Sequence, residues 1–212
     1  MKKEVLKKLI QEKLDKGRNR RLKIDEMALK YTYPKTRRGI LLLGYFSIIV
    51  EHHEGLFLLI QNKLYGPAYA LLRTMYEPLH RALWVNECAT DSQIDKIIDD
   101  KFKDENIFPR MDIMVDAIDN AYKTGSFYRQ TKDNLWNIMN DWTHSGLRQL
   151  ARQFAGNVVV PNYDLDEVFE VLKFAEAYIL LMALFFFYIH KKTEEIKAIQ
   201  QMMVDSVGDK KE

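Results

Sequence analysis

The sequence predicts an all-α protein, a bundle of about six to eight helices with one central, largely buried C-terminal helix. Its 212 residues are 47% hydrophobic and include only 9 glycines and 5 prolines, a balance typical of a globular domain with few chain breaks. Four long stretches carry apolar residues at helical spacing, and none shows the alternation that builds sheets. Helices that are apolar on most sides need partners on most sides, which favours a bundle.

Residues 1–38 are predicted to form a basic N-terminal helix and arm. They hold 14 Lys and Arg against 5 Asp and Glu, whereas the remaining residues hold 18 against 25. Apolar spacing predicts a helix over 2–16, and the polar, Pro34-containing sequence of 17–38 predicts a loosely packed arm. Such an arm either packs on its own acidic body or attracts an RNA phosphate backbone or anionic lipid. The candidate RNA contacts are Arg18, Arg20, Arg21, Arg37 and Arg38.

Residues 39–206 are predicted to form the helical bundle domain, and residues 207–212 a disordered tail. Long helices are expected over 39–63, 67–89, 127–144 and 164–192, and shorter ones over 91–102, 109–122, 147–154 and 193–204. Residues 156–163 are strand-like, but Pro161 favours an extended connection over a sheet strand.

The two most apolar stretches are predicted to be buried helices and not membrane spans. Glu51 and Glu54 interrupt residues 41–60, and each charge opposes insertion by roughly 2.5–3.5 kcal/mol. The apolar run at 177–189 is shorter than the roughly 20 residues that a span needs. The sequence begins without the apolar region of a signal peptide, and a single cysteine, Cys88, suits a reducing compartment. We therefore expect a cytoplasmic protein without membrane contact.

The run Phe185-Phe186-Phe187-Tyr188 is too wide for a single partner helix to cover. Either other helices of the chain surround it, or it forms the seam of a homodimer. Of the two, we expect the homodimer.

The helix at 67–89 contains polar residues among its apolar ones. Burying a polar side chain without a partner costs several kcal/mol, so we expect these residues to be paired or functional. Arg73, Tyr76, Glu77 and His80 follow one another at i, i+3, i+4 and i+7, which predicts one stripe. Pro78 removes a backbone hydrogen bond beside this stripe and is expected to kink the helix. The simplest interpretation is a buried network in which Arg73 pairs with Glu77 or Glu51.

Arg73 and His80 also form an Arg-x6-His pattern. This pattern resembles the Arg-x4–6-His signature of HEPN-type ribonucleases, an all-helical superfamily abundant in bacterial toxin and antiphage systems. The resemblance implies metal-independent RNA cleavage at a dimer seam, with His80 as the general acid and base and Arg73 on the scissile phosphate. Glu77 would orient one of them and His144 would assist. A toxin of this type would also need an antitoxin or another regulatory protein as its partner.

Residues 71–85 and 142–150 together resemble an uncharacterised bacterial helical family. Its members share an Arg-x3-Glu helix followed by a Thr-His-Ser/Gly-Gly segment. The resemblance implies that Arg73, Glu77 and His144 form one cluster, without implying an activity.

Two further interpretations remain open. The pairs Glu77-x-x-His80 and Asp141-x-x-His144, joined by one carboxylate from each of two other helices, match the ligand plan of di-iron or di-manganese bundles. The full set for iron or manganese is Glu51, Glu77, His80, Asp141, His144 and Glu176. Alternatively, the chain is a non-catalytic module that binds a nucleotide or another phosphorylated ligand. Its predicted ligand contacts are Arg73, Tyr76, His80, His144 and Arg148.

These hypotheses make different demands on the structure. The ribonuclease needs His80 to reach solvent. The metal centre needs Glu77, His80, Asp141 and His144 to converge on one centre. The binding module needs a pocket with at least two cationic groups in its wall.

Overall fold

The computed structural model describes residues 2–33, 35–99 and 107–208, and these residues form nine helices and one two-stranded sheet, which confirms the all-α bundle. The elements are α1 (Lys2–Leu29), α2 (Arg37–Gln61), α3 (Tyr65–Glu87), α4 (Asp91–Asp99), α5 (Met111–Tyr122), α6 (Phe127–Thr143), α7 (Leu147–Ala151), β1 (Phe154–Ala155), β2 (Val158–Val159), α8 (Leu165–Ile189) and α9 (Thr193–Gly208). Pro34, the end of the helix expected over 91–102, and residues 209–212 of the expected tail lie outside the described residues.

Helix α8 lies at the centre of the bundle and packs against α1, α2, α3 and α9. In its aromatic run, Phe185, Phe186 and Phe187 are buried, whereas Tyr188 is exposed. Phe186 stacks on Phe46 of α2, with ring centroids 4.4 Å apart. Helices of the same chain therefore cover the run, so it does not supply a dimer seam.

Two helices, α2 and α8, are long and apolar enough to cross a membrane by length and composition. The most apolar window of α8 is 61% buried inside the fold, and that of α2 is 39% buried. Both helices thus serve as bundle helices here, α8 more completely than α2.

The expectation of a loose arm over 17–38 is wrong for its first part, because α1 continues unbroken to Leu29. At Gly17 the helix passes so close to α2 that an added Cβ would lie 2.3 Å from Phe57 Cε1. Further along the same stripe, Ile24 and Met27 are buried in the core. Glycine is therefore the residue that this close crossing permits, and it does not mark a linker.

The basic residues of this region are paired with the body. Buried Glu176 of α8 accepts ion pairs from Lys13 and Arg20, and the Ser206 hydroxyl donates to it at 3.1 Å. The other four arginines also contact residues of the same chain. Arg18 donates a hydrogen bond to the Gln61 side chain. The remaining three form ion pairs: Arg21 with Asp25 and Glu54, Arg37 with Asp99, and Arg38 with Asp91. This arrangement matches the prediction that the basic segment packs on its own acidic body.

Residues 154–159 form a hairpin, whereas Pro161 had favoured an extended connection. Phe154 pairs with Val159 and Ala155 with Val158 in an antiparallel register. Gly156 begins the two-residue turn with φ +62°, the conformation that such turns require at their first position. Pro161 follows the paired residues and so does not disturb them.

Candidate functional site

A pocket of about 370 Å³ lies between α3, the start of α5 and α6. Four cationic side chains, two acidic side chains and two aromatic rings line it: Arg73, Arg81, Arg110, Lys132, Glu77, Asp112, Phe108 and Trp136. Its wall therefore has two more positive than negative charges, and its volume falls at the lower end of the range for small-molecule pockets.

The centre of the pocket wall is an arginine–carboxylate–arginine series along α3. Arg73 Nε donates to Glu77 Oε1 at 2.6 Å, and Arg81 Nη2 lies 3.8 Å from Glu77 Oε2. The spacing of four residues brings the three side chains to neighbouring turns of one helix. One carboxylate is thus shared by two guanidinium groups, which leaves positive charge at the wall.

Aromatic rings hold both guanidinium groups in place. The Arg73 guanidinium lies 4.7 Å from the centroid of Trp136 on α6, and that of Arg81 lies 4.8 Å from Phe108. Burial raises the pKa of Tyr45, and the positive charge of Arg81 opposes that rise. Cation–π contacts of this kind restrict the orientation of a long side chain.

The N-terminus of α5 completes one side of the pocket. Its N-cap residue, Arg110, makes no side-chain capping bond, but its guanidinium pairs with Asp112, with Nη2 donating to Oδ2 at 3.4 Å. Backbone N–H groups at a helix start carry partial positive charge. They add to the positive potential that the four cationic side chains create.

Helix α6 owes its position to Asp119, a largely buried residue of α5. The Asp119 carboxylate accepts the backbone N–H groups of Tyr128 at 3.0 Å and Arg129 at 2.9 Å, and also the Thr124 hydroxyl. Ser126, at the N-cap position, supplies no such bond. Asp119 thereby caps α6 from the preceding helix and orients the turn that bears Lys132 towards the pocket.

His80 and Tyr76 do not reach this pocket, contrary to the prediction of a common stripe. His80 is 2% exposed, its Nδ1 donates to the Tyr76 carbonyl at 2.8 Å, and its Nε2 has no hydrogen-bond partner. Burial lowers the pKa of His80 to about 4, so the ring is neutral at pH 7. The Tyr76 ring stacks on it at 3.9 Å and is itself fully buried. A sealed imidazole cannot exchange protons with RNA, so the catalytic role expected for His80 is not supported.

The structure does bring Arg73, Glu77 and His144 together. His144 follows the last turn of α6, is exposed, and accepts a hydrogen bond from Arg73 Nη1 at its Nε2, 2.6 Å away. Arg148 instead pairs with Asp141, with Arg148 Nε 3.4 Å from Asp141 Oδ2, and neither residue lines the pocket. The cluster implied by the second resemblance is therefore present, whereas the expected ligand contact of Arg148 is not.

The six residues expected for iron or manganese do not converge. Glu176 is held in ion pairs by Lys13 and Arg20 of α1, Glu51 is exposed on α2, and His80 is enclosed beside Tyr76. Throughout residues 2–33, 35–99 and 107–208, no group of three His, Cys, Asp or Glu side chains is placed to hold a metal ion.

Sequence reasoning missed Arg81, Arg110, Lys132 and the pocket role of Trp136. Arg81 had a usable signal, because it continues the Arg73–Glu77 spacing by one further turn. Lys132 and Trp136 are also four residues apart and so share a face of α6. Nothing in the sequence shows that this face meets α3.

Comparison with known proteins gives a family match that includes the whole pocket. A model described as a family of unknown function, DUF6988, matches residues 46–207. No curated protein and no solved structure matches the chain. Helix α1 and the first turns of α2 lie outside the matched residues, whereas every residue of the pocket wall lies within them.

Proposed function

We propose that this chain, which belongs to the DUF6988 family, is a binding module for a small phosphorylated ligand. The observation that carries the proposal is the pocket wall, where four cationic side chains and two aromatic rings surround about 370 Å³. Arginine forks recognise phosphate oxygens in pairs, and flat rings stack on bases or other planar groups. A nucleoside monophosphate combines both features.

The charge of the wall matches a phosphomonoester. Its two excess positive charges correspond to a ligand charge of about −1.5 to −2 at pH 7. A sugar or nucleoside without phosphate would leave these charges uncompensated. The phosphate therefore contributes most of the expected affinity.

Two of the four cationic side chains of the wall, Arg73 and Arg81, are also ordered in advance. Glu77 holds Arg73, and the rings of Trp136 and Phe108 hold Arg73 and Arg81. Side chains that are already fixed lose less conformational entropy when a ligand binds, so such a site binds more tightly than a mobile one.

Calorimetric titration with AMP, adenosine and inorganic phosphate tests the proposal. We expect AMP to bind, adenosine to bind at least tenfold more weakly, and the affinity for AMP to fall as salt rises. Lys132→Gln and Arg81→Gln each remove one positive charge from the wall and are expected to weaken AMP binding about tenfold or more.

Arg148→Gln is the matched control, because it removes an exposed arginine that lies outside the pocket. This variant is expected to bind AMP like the wild type. The proposal fails if no phosphate ester binds at millimolar concentration, or if the Arg148 and Arg81 variants lose affinity equally.

HEPN-like RNA cleavage is a second candidate, and the contact between Arg73 and His144 favours it. In this version the RNA phosphate draws Arg73 Nη1 away from exposed His144, and His144 Nε2 then takes the proton of the 2′-hydroxyl while the 2′-oxygen attacks phosphorus. Protonated His144 returns that proton to the 5′-oxygen as the P–O5′ bond breaks, which yields a 2′,3′-cyclic phosphate and a free 5′-hydroxyl. Arg73 would neutralise the phosphate, and a toxin or defence role would follow.

Incubation of labelled mixed-sequence RNA in excess EDTA separates this candidate from simple binding. Cleavage by wild type and His80→Phe, but not by His144→Ala, would support it. If none of the three proteins cleaves RNA while AMP binds, the chain is a binding module only.

A further inference from the structure

The segment 147–160 exposes an unusual share of apolar side chains. Six of the 18 large apolar residues that are exposed among the described residues lie in it: Leu147, Leu150, Phe154, Val158, Val159 and Val160. Residues 153–163 contain no charged side chain, although 29% of the chain is charged. Grouped exposed apolar residues of this kind mark interaction surfaces.

The hairpin inside this segment is firmly attached to the bundle. Arg152, just before β1, forms a bidentate ion pair with Glu167 of α8. Its Nε donates to Oε2 at 2.7 Å, and its Nη2 donates to Oε1. The Gln153 side-chain amide donates to the Tyr163 hydroxyl at 3.2 Å. The apolar residues are thus presented on an ordered element that is anchored at its base.

The two outer edges of the hairpin differ. Asn162 covers the edge of β1, because its backbone N–H donates to the Arg152 carbonyl at 2.7 Å and its side-chain amide to the Phe154 carbonyl at 3.1 Å. The edge of β2 has no such cover: no strand other than β1 pairs with it among the described residues.

Val159 presents its backbone groups along this open edge. Because the Val160 N–H bonds the Gln153 carbonyl at 2.9 Å, the neighbouring pair Val159–Phe154 is a non-hydrogen-bonded pair of the ladder. The N–H and C=O of Val159 therefore point away from β1. The Val159 residue is also 75% exposed.

We infer that two copies of this chain pair through β2, antiparallel about a two-fold axis at Val159. The Val159 N–H of each copy donates to the carbonyl of Val159 of the partner subunit, which is the reciprocal pair of an antiparallel ladder. The result is a four-stranded sheet flanked by the exposed valines of both copies. This interface is independent of the ligand pocket.

Two features favour a second copy over a different protein. The uncharged segment meets its own copy without like-charge repulsion. Since the edge of β1 is covered, only the β2 edge of this hairpin is open, so pairing closes at two chains and does not extend into a fibre.

Replacing the single backbone donor is the sharpest test. Val159→Pro removes the N–H that faces the partner and leaves the hairpin's own ladder intact, because that N–H does not point towards β1. Val159→Thr keeps the donor and the β-branched shape, and is the matched control. Light scattering over a range of concentrations is expected to give twice 25.1 kDa for wild type and for Val159→Thr. The dimer dissociation constant of Val159→Pro is expected to rise at least tenfold.

Disulfide trapping supplies a second readout. Two Cα atoms in a hydrogen-bonded antiparallel pair lie about 5.5 Å apart, within the range of roughly 4.4–6.8 Å that disulfides span. In a Cys88→Ser background, Val159→Cys is expected to form a covalent dimer on mild oxidation, and exposed Val204→Cys on α9 is expected not to. A wild type that is monomeric at every concentration, a dimer unaffected by Val159→Pro, or equal trapping at both positions would overturn the inference.

Discussion

At the scale of single residues, His52 replaces a hydrogen-bond donor that α3 lacks. Pro78 has no N–H, so the Thr74 carbonyl four residues earlier loses its helical partner. His52 Nδ1 on α2 fills this place by donating to the Thr74 carbonyl at 2.9 Å. The proline thus remains inside a continuous helix because a neighbouring helix satisfies the orphaned acceptor.

Replacing His52 by Leu is expected to lower the free energy of unfolding by about 1–3 kcal/mol, since it leaves a partly buried carbonyl without a donor. Urea denaturation measures the loss. In a Pro78→Ala background the new alanine supplies its own N–H to the Thr74 carbonyl, so the same His52 change should cost markedly less. An equal loss in both backgrounds would contradict this role for His52.

The angular position around α3 explains why the sequence predicted one part of the site and misplaced the other. At 100° per residue, Glu77 and Arg81 lie about 40° and 80° from Arg73 in one direction, whereas Tyr76 and His80 lie about 60° and 20° in the other. The i, i+3, i+4, i+7 pattern spans both sets. Only the packing of α6 and α8 decides that the first set lines the pocket and the second is buried.

At the scale of elements, α1 is joined to the bundle by a buried ionic contact. Glu176 and Lys13 are almost fully buried, and Arg20 is largely so. A buried carboxylate that two cations share is strongly coupled to its surroundings, because removing one member leaves charges in a poorly solvated site. Glu176 therefore adds a buried ionic contact to the apolar packing that holds α1 on the bundle.

Glu176→Gln is expected to lower the free energy of unfolding by about 3–5 kcal/mol. Glu170→Gln on the same helix is the matched control, because Glu170 pairs with Lys173 at the exposed surface and should cost about 0–1 kcal/mol. Thermal and urea denaturation compare the two variants. Equal losses of unfolding free energy in the two variants would mean that the buried ion pairs of Glu176 contribute no more to stability than the exposed ion pair of Glu170.

At the scale of the whole molecule, two buried histidines make stability depend on pH. Burial lowers the pKa of His53 to about 3, helped by Arg21 and Arg18, and lowers that of His80 to about 4. In the unfolded chain both pKa values are near 6.5. Between these limits the unfolded state binds more protons, so acid favours unfolding.

The free energy of unfolding is therefore expected to be unaffected by these histidines above pH 6.5. It should fall by about 1.4 kcal/mol per pH unit for each of them as the pH drops towards 4. Urea denaturation at several pH values measures this slope, and His80→Phe should remove about half of it. A slope that His80→Phe leaves unchanged would contradict the assignment.

Periodicity predicted most helices of the molecule, because their apolar spacing reflects burial by neighbouring elements. It failed at residues 17–29, where polar and basic side chains face partners on α2 and α8 that lie far away in sequence. It also failed at the hairpin, whose valines are exposed and therefore leave no pattern of burial. Two expectations stay predictions: that the protein is cytoplasmic, and that it has no contact with a membrane.

The contact between Arg20 and Glu176 joins residues 156 positions apart. During synthesis α1 leaves the ribosome long before Glu176 is made, so this ion pair cannot form until α8 has been translated. Contacts of such long sequence separation form late and slow folding. Although α1 precedes α8 in the chain, it is thus expected to reach its final position late, and a truncation before α8 is expected to remove the buried ionic contact between α1 and the bundle.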